Sequence, residues 1–450
     1  MPEGNKTSLP SGDRSDTPEA SADIVVIGAG PAGSTAAALL AMAGYQVTVL
    51  EREQHPREHV GESVIPHFWK YCDRLKVTDT LLAEGFLQKA GGTVVWNGEI
   101  RQMAFRQFGY SRPALHVERD RFDYLLLENC RAQGASVHER IMVSRIENGP
   151  DETMLVHYRH VDSREEHVIR CREIIDASGQ SSIIARQLKL RQLDEGFRFL
   201  AMWGYFDDSM YVDTEGNARR FSERYEVPPT TFVTSLGSQY GWSWHIPLRK
   251  NTSIGLVLPI RELKSMLAKG DHESYYRETC RSNRYLGRLL NPASFIDGSF
   301  RMTRDYSYRA TQFTGPGWIL VGDAAAFVDP IFSLGVTFAM YSGALAAQLI
   351  DNGMRRPESK PYCRWVYTDQ LSRRIATARA LALPQFIPED SITDDLKPER
   401  LSLEWEPEVE KSLVHTVALM TNRSVNFHHM VKQPVDDKQV CFSLLDDIRF

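Results

Sequence analysis

Asp23–Glu51, DIVVIGAGPAGSTAAALLAMAGYQVTVLE, decides the fold. DIVVI (23–27) is a short β-branched run, the composition of a buried strand. GAGPAGS (28–34) follows it, and STAAALLAMAGY is a strongly helix-forming segment that stops at Gly44. QVTVLE (46–51) is a second strand, closed by an acid. A strand, glycine turn, helix and strand within about thirty residues is the footprint of a dinucleotide-binding half. Gly28, Gly30 and Gly33 fit GxGxxG with Ala32 between the last two. The first glycine makes the tight turn, the second lets a pyrophosphate approach the backbone, and the third permits helix-on-strand packing. The phosphates then meet the positive end of the helix dipole. Glu51, followed by Arg52, stands eighteen residues after Gly33. A carboxylate there accepts both ribose hydroxyls and favours an unphosphorylated adenosine ribose.

Around this unit the composition is that of an ordinary globular protein. The chain is 42% hydrophobic and 25% charged, which excludes a largely disordered one, and its 450 residues predict two interleaved domains or one large α/β enzyme. A formal charge of −5 leaves no basic excess for counterion displacement, so no nucleic-acid partner is expected. Six cysteines (72, 130, 171, 280, 363, 441) are scattered without CxxC or zinc spacing, as in reduced thiols of a cytoplasmic protein. The apolar stretches near 24–50 and 317–350 are broken by Gly28–Pro31 and Asp329–Pro330, so no membrane span is expected. Residues 1–22 are polar and lack an apolar core segment, which reads as a disordered leader.

Farther along, a helical region carries Phe68, Trp69, Leu75, Leu81 and Leu82, and residues 120–136 repeat leucines and aromatics at helical spacing. Runs at 137–146, 153–161 and 172–179 read as a β-rich return to the first sheet. Between 199 and about 259, strand-like runs dominate and form a candidate substrate-side sheet. GWILVGDAAAFVDP (317–330) reads as strand, turn and helix, and the chain beyond about 336 reads as helical.

Several segments go beyond a generic dinucleotide fold. Gly322-Asp323 after WILV, and Asp176-Ala177-Ser178-Gly179, resemble elements of the large superfamily of FAD-dependent hydroxylases of the GR2 type. Arg119 in VERDRFD resembles its flavin-contacting arginine, although an arginine capping an exposed turn also fits. Val60-Gly61-Glu62-Ser63 with Ile65-Pro66, the WxWxIP segment Trp242–Pro247, and Asp329-Pro330-Ile331-Phe332-Ser333-Leu334-Gly335-Val336 are together similar to the flavin-dependent halogenases, closest to those acting on phenols, pyrroles and carrier-bound substrates. The resemblance covers roughly residues 23–350 and is weaker in the last hundred.

This resemblance implies a two-domain α/β oxidoreductase with a Rossmann-like FAD-binding domain (23–195 and 300–350), a substrate-side β-sheet domain (196–299) and a helical C-terminal region (351–450) that shapes the substrate pocket. It assigns cofactor contacts to Gly28, Gly30, Ala32, Gly33, Glu51, Arg52, Gly61, Glu62, Ser63, Arg119, Gly322, Asp323, Pro330, Gly335 and Val336. It assigns the substrate and halide pocket to Trp242, Trp244, Phe332, Ser333, Leu334 and Gly335. Lys89, in GFLQKAGG (85–92), is similar to the active lysine of these enzymes. In that chemistry FADH₂ from a separate flavin reductase reacts with O₂ to a C4a-hydroperoxide, chloride or bromide is oxidised to hypohalous acid, and the lysine delivers the halogen to a small-molecule or carrier-bound substrate.

Each assignment has a blander reading. Trp242 and Trp244 share one strand face and would serve equally as core, and Lys89 would serve as a solvated surface lysine. Related sequences carry a small hydroxyl residue where Leu334 stands; a halide held by main-chain amides tolerates the change. His55, His59 and His67 crowd the Gly61–Ser63 region without a third ligand, so no metal is expected. The rival functions are a halogenase-like flavin monooxygenase or dehydrogenase without halide chemistry, and a non-catalytic flavoprotein.

Overall fold

The computed structural model describes residues 18, 20–96, 98–108, 110, 112–236, 241–260, 270–382 and 443–450. Most of the expected leader, and residues 383–442 of the expected helical C-terminal region, lie outside the described residues.

The first sheet has the strand order Thr314–Gly315, Trp318–Leu320, Glu173–Asp176, Ile24–Ile27, Val47–Leu50, Ser136–His138. All neighbours are parallel except the edge pair Thr314–Gly315 and Trp318–Leu320. Successive residues Ile24, Val25 and Val26 point to opposite faces, yet all are fully buried. Both faces are therefore covered, which is why these strands read as unbroken apolar runs. Helix Pro31–Met42 begins with proline at a position where the missing N–H costs nothing. It packs in one core with helices Arg119–Ala132 and Gly335–Arg355.

The second sheet is antiparallel over most of its width. Phe199–Asp207, Thr252–Pro259, Trp242–Pro247 and Thr230–Ser235 form its centre, as the strand-like runs from 199 to 259 predict. Strands outside 196–299 complete it: Gly91–Trp96, Glu99–Ala104 and Ser443–Leu445 extend one side, and Arg301–Arg304 pairs with Phe199–Asp207 on the other.

Two sequence expectations need correction. Only Ser136–His138 and Glu173–Asp176 return to the first sheet; Ile141–Asn148, Met154–His160 and His167–Cys171 form a separate antiparallel sheet. Buried and half-exposed residues alternate along these strands, which suits a sheet with one wet face and not the interior of a parallel one. The segment after WILV does not become helical at once. Gly322–Ala324 is a single 3₁₀ turn, and Ala326–Phe327 pairs with Tyr308–Ala310. Pro330 holds Asp329 extended at φ −156° and opens a second 3₁₀ turn, which ends at Ser333 in the left-handed region, and the helix begins at Gly335.

Another small sheet has three short strands. Ala114–His116 lies between Ser63–Val64 and Leu87–Lys89, all antiparallel. No described helix is long and apolar enough to cross a membrane. Cys72, Cys130, Cys171, Cys280 and Cys363 are free and buried; Cys441 lies outside the described residues.

Candidate active site

A cavity of about 1400 Å³ opens beyond the carboxyl ends of the parallel strands. Four of its wall segments directly follow those strands: Gly28 after Ile27, Glu51 after Leu50, Ala177–Gly179 after Asp176, and Val321 after Leu320. Doubly wound sheets bind their ligands at this edge. Gly28 has φ +99°, and a Cβ there would lie 2.5 Å from the Ala177 carbonyl oxygen. A Cβ on Gly33 would lie 2.0 Å from the Gly28 oxygen, so the turn closes only with hydrogen at that position. Gly30, Pro31 and Ala32 line the cavity at the start of a twelve-residue helix that no side chain caps. Its first amides are thus open to an anion. The buried Glu51 accepts hydrogen bonds from Ala29 N–H at 2.6 Å and Glu53 N–H at 2.8 Å. Each carboxylate oxygen keeps a further lone pair for ribose hydroxyls. Arg52 stands at the exposed rim, paired with Glu53. These residues fit a bound dinucleotide.

Arg119 is buried, so the reading of it as a cap on an exposed turn does not hold. Its guanidinium bonds both Asp123 oxygens, at 2.8 and 3.0 Å, and donates to the carbonyls of Val60 (3.0 Å) and Gly61 (3.3 Å). Arg57 supports Asp123 from the other side at 3.2 Å. Burial works against the Arg119 charge, but the Asp123 carboxylate holds its pKa above the ordinary value. Arg119 thus pins the loop that presents Gly61, Glu62 and Ser63 to the cavity. Arg119→Met would leave Asp123 buried with only Arg57, so we expect a stability loss of about 3–5 kcal/mol, read from urea unfolding. An unchanged midpoint would contradict the clamp.

Glu62 is buried and accepts hydrogen bonds from the Tyr205 hydroxyl (2.8 Å) and Gly61 N–H (3.1 Å). Burial raises its pKa, and the Tyr205 bond opposes the rise. Burial likewise pushes Asp323 up to about 6, against the nearby Arg119 charge. Gly322 N–H donates to Ser342 Oγ at 2.8 Å, tying this turn to helix Gly335–Arg355.

The Pro330–Gly335 turn divides between two spaces. Pro330, Ser333, Gly335 and Val336 line the large cavity, and Ser333 adopts a left-handed φ of +55°. Phe332 and Leu334 instead line a smaller pocket of about 100 Å³, walled by helices Gly335–Arg355 and Lys360–Ala382. Trp242 and Trp244 meet both of their readings. They pack in the core of the second sheet with ring centroids 5.9 Å apart, and they also line the large cavity. Trp244 Nε1 donates to Ser253 Oγ at 3.3 Å, whereas Trp242 Nε1 has no partner among the described residues.

Lys89 is only 4% exposed, so it is not a solvated surface lysine. The Leu87–Lys89 strand alternates buried, exposed, buried, and it puts Gln88 outward and Lys89 inward. Cross-strand register places Ser63 and Leu87 opposite His116, and Lys89 opposite Ala114. Ser63, Lys89 and His116 therefore share one face of the small sheet. Lys89 Nζ donates to Ser63 Oγ at 2.8 Å, and Ser333 Oγ donates to the same oxygen at 3.0 Å. Ser63 Oγ also lies 3.0 Å from Thr231 Oγ1, which lies 2.8 Å from His116 Nε2. Burial lowers the Lys89 pKa to about 7. The lysine, the Gly61–Ser63 loop and the Ser333 turn, far apart in sequence, converge on one hydroxyl.

Arg57, Asp123, Tyr205, Thr231 and His116 belong to this constellation and were missed in the sequence. The alternation in PALHVE (113–118) offers a signal for His116, since it puts Ala114 and His116 on one face. Asp123 stands four residues after Arg119, the spacing of a helical ion pair, and no local pattern marks Arg57, Tyr205 or Thr231.

The family model for tryptophan halogenases matches residues 23–113 and 105–386. The chain belongs to the tryptophan halogenase family. A tryptophan 2-halogenase of Chondromyces crocatus is 35% identical over 329 residues, spanning 73% of this chain but only 60% of that protein. The 1H-pyrrole-2-carbonyl-[peptidyl-carrier protein] chlorinase of Pseudomonas fluorescens is 30% identical, spanning 72% of this chain and 74% of its own. Among solved structures, the myxobacterial chondrochloren halogenase CndH, an FAD-dependent halogenase, superposes with a TM-score of 0.71 at 30% identity over 90% of this chain and 91% of its own. The stretch matched by the halogenase family model contains Gly28–Gly33, Glu51, Gly61–Ser63, Lys89, Arg119, Trp242, Trp244, Gly322, Asp323 and the Pro330–Val336 turn.

Proposed function

We propose that the chain binds FAD noncovalently and uses FADH₂, O₂ and chloride or bromide to halogenate an electron-rich small molecule or a carrier-bound intermediate. One observation carries this reading: a buried lysine, with its pKa lowered to about 7, lies one hydroxyl away from the Ser333 turn of the cofactor cavity. A binding protein needs no such group, and a hydroxylase that transfers oxygen straight to its substrate needs none behind the cavity wall.

Gly30–Gly33 and the helix start hold the pyrophosphate, Glu51 the ribose, and Arg119 fixes the Gly61–Ser63 loop over the cofactor. Gly322, Asp323, Pro330 and Val336 complete this contact. Reduced FAD supplies the two electrons that, with O₂ and a proton, turn halide into hypohalous acid and water. Ser333 N–H is spent on the Pro330 carbonyl, so the main-chain amides of Leu334 and Gly335 hold the halide, which accommodates Leu334 because its side chain lies in the smaller pocket. Trp242 and Trp244 close the cavity on the substrate side. The neutral Lys89 amine takes the halogen from hypohalous acid, releasing water, and passes it to the aromatic carbon, which loses a proton.

Because the amine acts unprotonated, halogenation should rise with pH through about 7. His116 and His245 lie nearby, and burial keeps both neutral there: His245 is held down at about 4, and His116, also beside the Lys89 charge, well below its ordinary value. Burial also pushes Asp329 up to about 7, opposed by Ile331 N–H and the Tyr306 hydroxyl. Asp329→Asn should therefore keep the rising limb; its loss would reassign the limb to Asp329, and a falling profile would contradict the neutral amine.

The chain shows one GxGxxG fingerprint, so a separate flavin reductase supplies FADH₂. NADH or NADPH alone should leave the bound flavin oxidised over catalytic times. Rapid bleaching by either nucleotide would favour a self-reducing monooxygenase.

A further inference from the structure

The hydroxyls around Lys89 form a chain whose direction follows from counting hydrogens. As an ammonium, Lys89 has no lone pair and can only donate, and Ser63 Oγ is its one hydrogen-bond partner among the described residues. Ser333 donates to the same oxygen. Both lone pairs of Ser63 are then used, and among the described residues its own proton has one remaining partner, Thr231 Oγ1. Thr231 accepts that proton and, among the described residues, has one place for its own, His116 Nε2. His116 is fully buried, and burial together with the Lys89 charge keeps its ring neutral, with the Pro247 backbone opposing. A neutral ring accepting at Nε2 carries its proton on Nδ1.

We propose that His116, as the Nδ1-protonated tautomer, fixes the direction of the Lys89–Ser63–Thr231–His116 chain, which makes Ser63 an obligatory acceptor and leaves the Lys89 lone pair uncapped once the ammonium loses its proton. This rests on the reading of Lys89 as the halogen acceptor. In the opposite direction, Nε2–H would donate to Thr231, Thr231 to Ser63, and Ser63 to the amine. The lone pair that attacks the halogen would then be occupied. In this chain of hydrogen bonds Ser63, Thr231 and His116 are positioning residues that act through Lys89.

The tautomer is read directly by ¹⁵N resonances of the FAD-loaded protein labelled at histidine. The His116 signals are those lost in His116→Gln, and Nε2 should show the shift of an unprotonated nitrogen. A protonated Nε2 overturns the inference, whether or not the protein halogenates any substrate tested. The second arm does not need His116→Gln to fold. Stoichiometric hypochlorite is added to wild type, Thr231→Val and Thr231→Ser, and replacement of hydrogen by chlorine on Lys89 is followed by peptide mass. The N–Cl bond forms as the O–Cl bond breaks, and the displaced hydroxide takes the amine proton as water. Without the Thr231 acceptor, Ser63 turns its proton onto the amine, so Thr231→Val should chlorinate Lys89 about tenfold more slowly or worse. Thr231→Ser keeps the hydroxyl and should restore the rate. Equal rates in all three proteins, or a loss that Thr231→Ser fails to rescue, overturn the inference. If the tautomer and rates come out as stated while wild type incorporates no halide in turnover, the functional reading fails and the hydrogen-bond direction stands.

Discussion

Lys89→Ala should stop halogen incorporation, by about 10³-fold or more, the scale of losing a positioned catalytic group. FAD content and oxygen-driven reoxidation of reduced flavin should stay close to wild type, because Gly28–Gly33, Glu51 and Arg119 are untouched. The substitution leaves no stranded polar atom at its partner, since Ser63 keeps Ser333 and Thr231. Lys89→Met fills the space of the aliphatic stem and separates a packing defect from the loss of the amine. Both variants should be inactive and folded. Halogenation by either at the wild-type rate would remove the lysine from the mechanism; oxygen insertion into substrate by either, indifferent to halide, would favour a monooxygenase.

Gly33→Val should lower retained FAD to below about a tenth of wild type, as expected when a strained contact of about 1–3 kcal/mol is forced into a packed turn. The added Cβ would sit 2.0 Å from the Gly28 carbonyl oxygen and 3.1 Å from the Ala177 side chain. Relief requires the turn to open, and the open turn no longer aims its amides at the pyrophosphate. Flavin absorbance after gel filtration reads the outcome, and full retention would remove this turn from the cofactor site.

Local pattern carried the part of this site that local pattern can encode. The unit from Ile24 to Glu51 is continuous in sequence, so its glycine spacing, its strand composition and its terminal acid were all readable before any tertiary contact. The WxWxIP strand was readable too, and both tryptophans meet the cavity. The placement of Lys89 was not: GFLQKAGG says only that Gln88 and Lys89 face opposite ways, and which of the two is buried depends on the sheet that Ser63–Val64 and Ala114–His116 add around it. Those strands are two and three residues long, too short for periodicity to register. The alternation across 141–171 marks strands but not their sheet; one wet face suits an antiparallel sheet and not the interior of a parallel one. The helix expected after Val321 gives way to a tertiary pairing, Ala326–Phe327 with Tyr308–Ala310, which no local pattern announces. Arg57 reaches Asp123 across 66 positions, Tyr205 reaches Glu62 across 143 and Thr231 reaches Ser63 across 168, and no window of sequence contains both ends of such a contact.

The most direct test of the central claim is the mass of the product that wild-type protein makes from an electron-rich phenol or pyrrole panel, supplied with a flavin reductase, O₂ and either chloride or bromide. The account predicts a halogen isotope pattern that follows the buffer, chlorine in one and bromine in the other, and that disappears with Lys89→Ala. Oxygen incorporation that is the same in both buffers would contradict it.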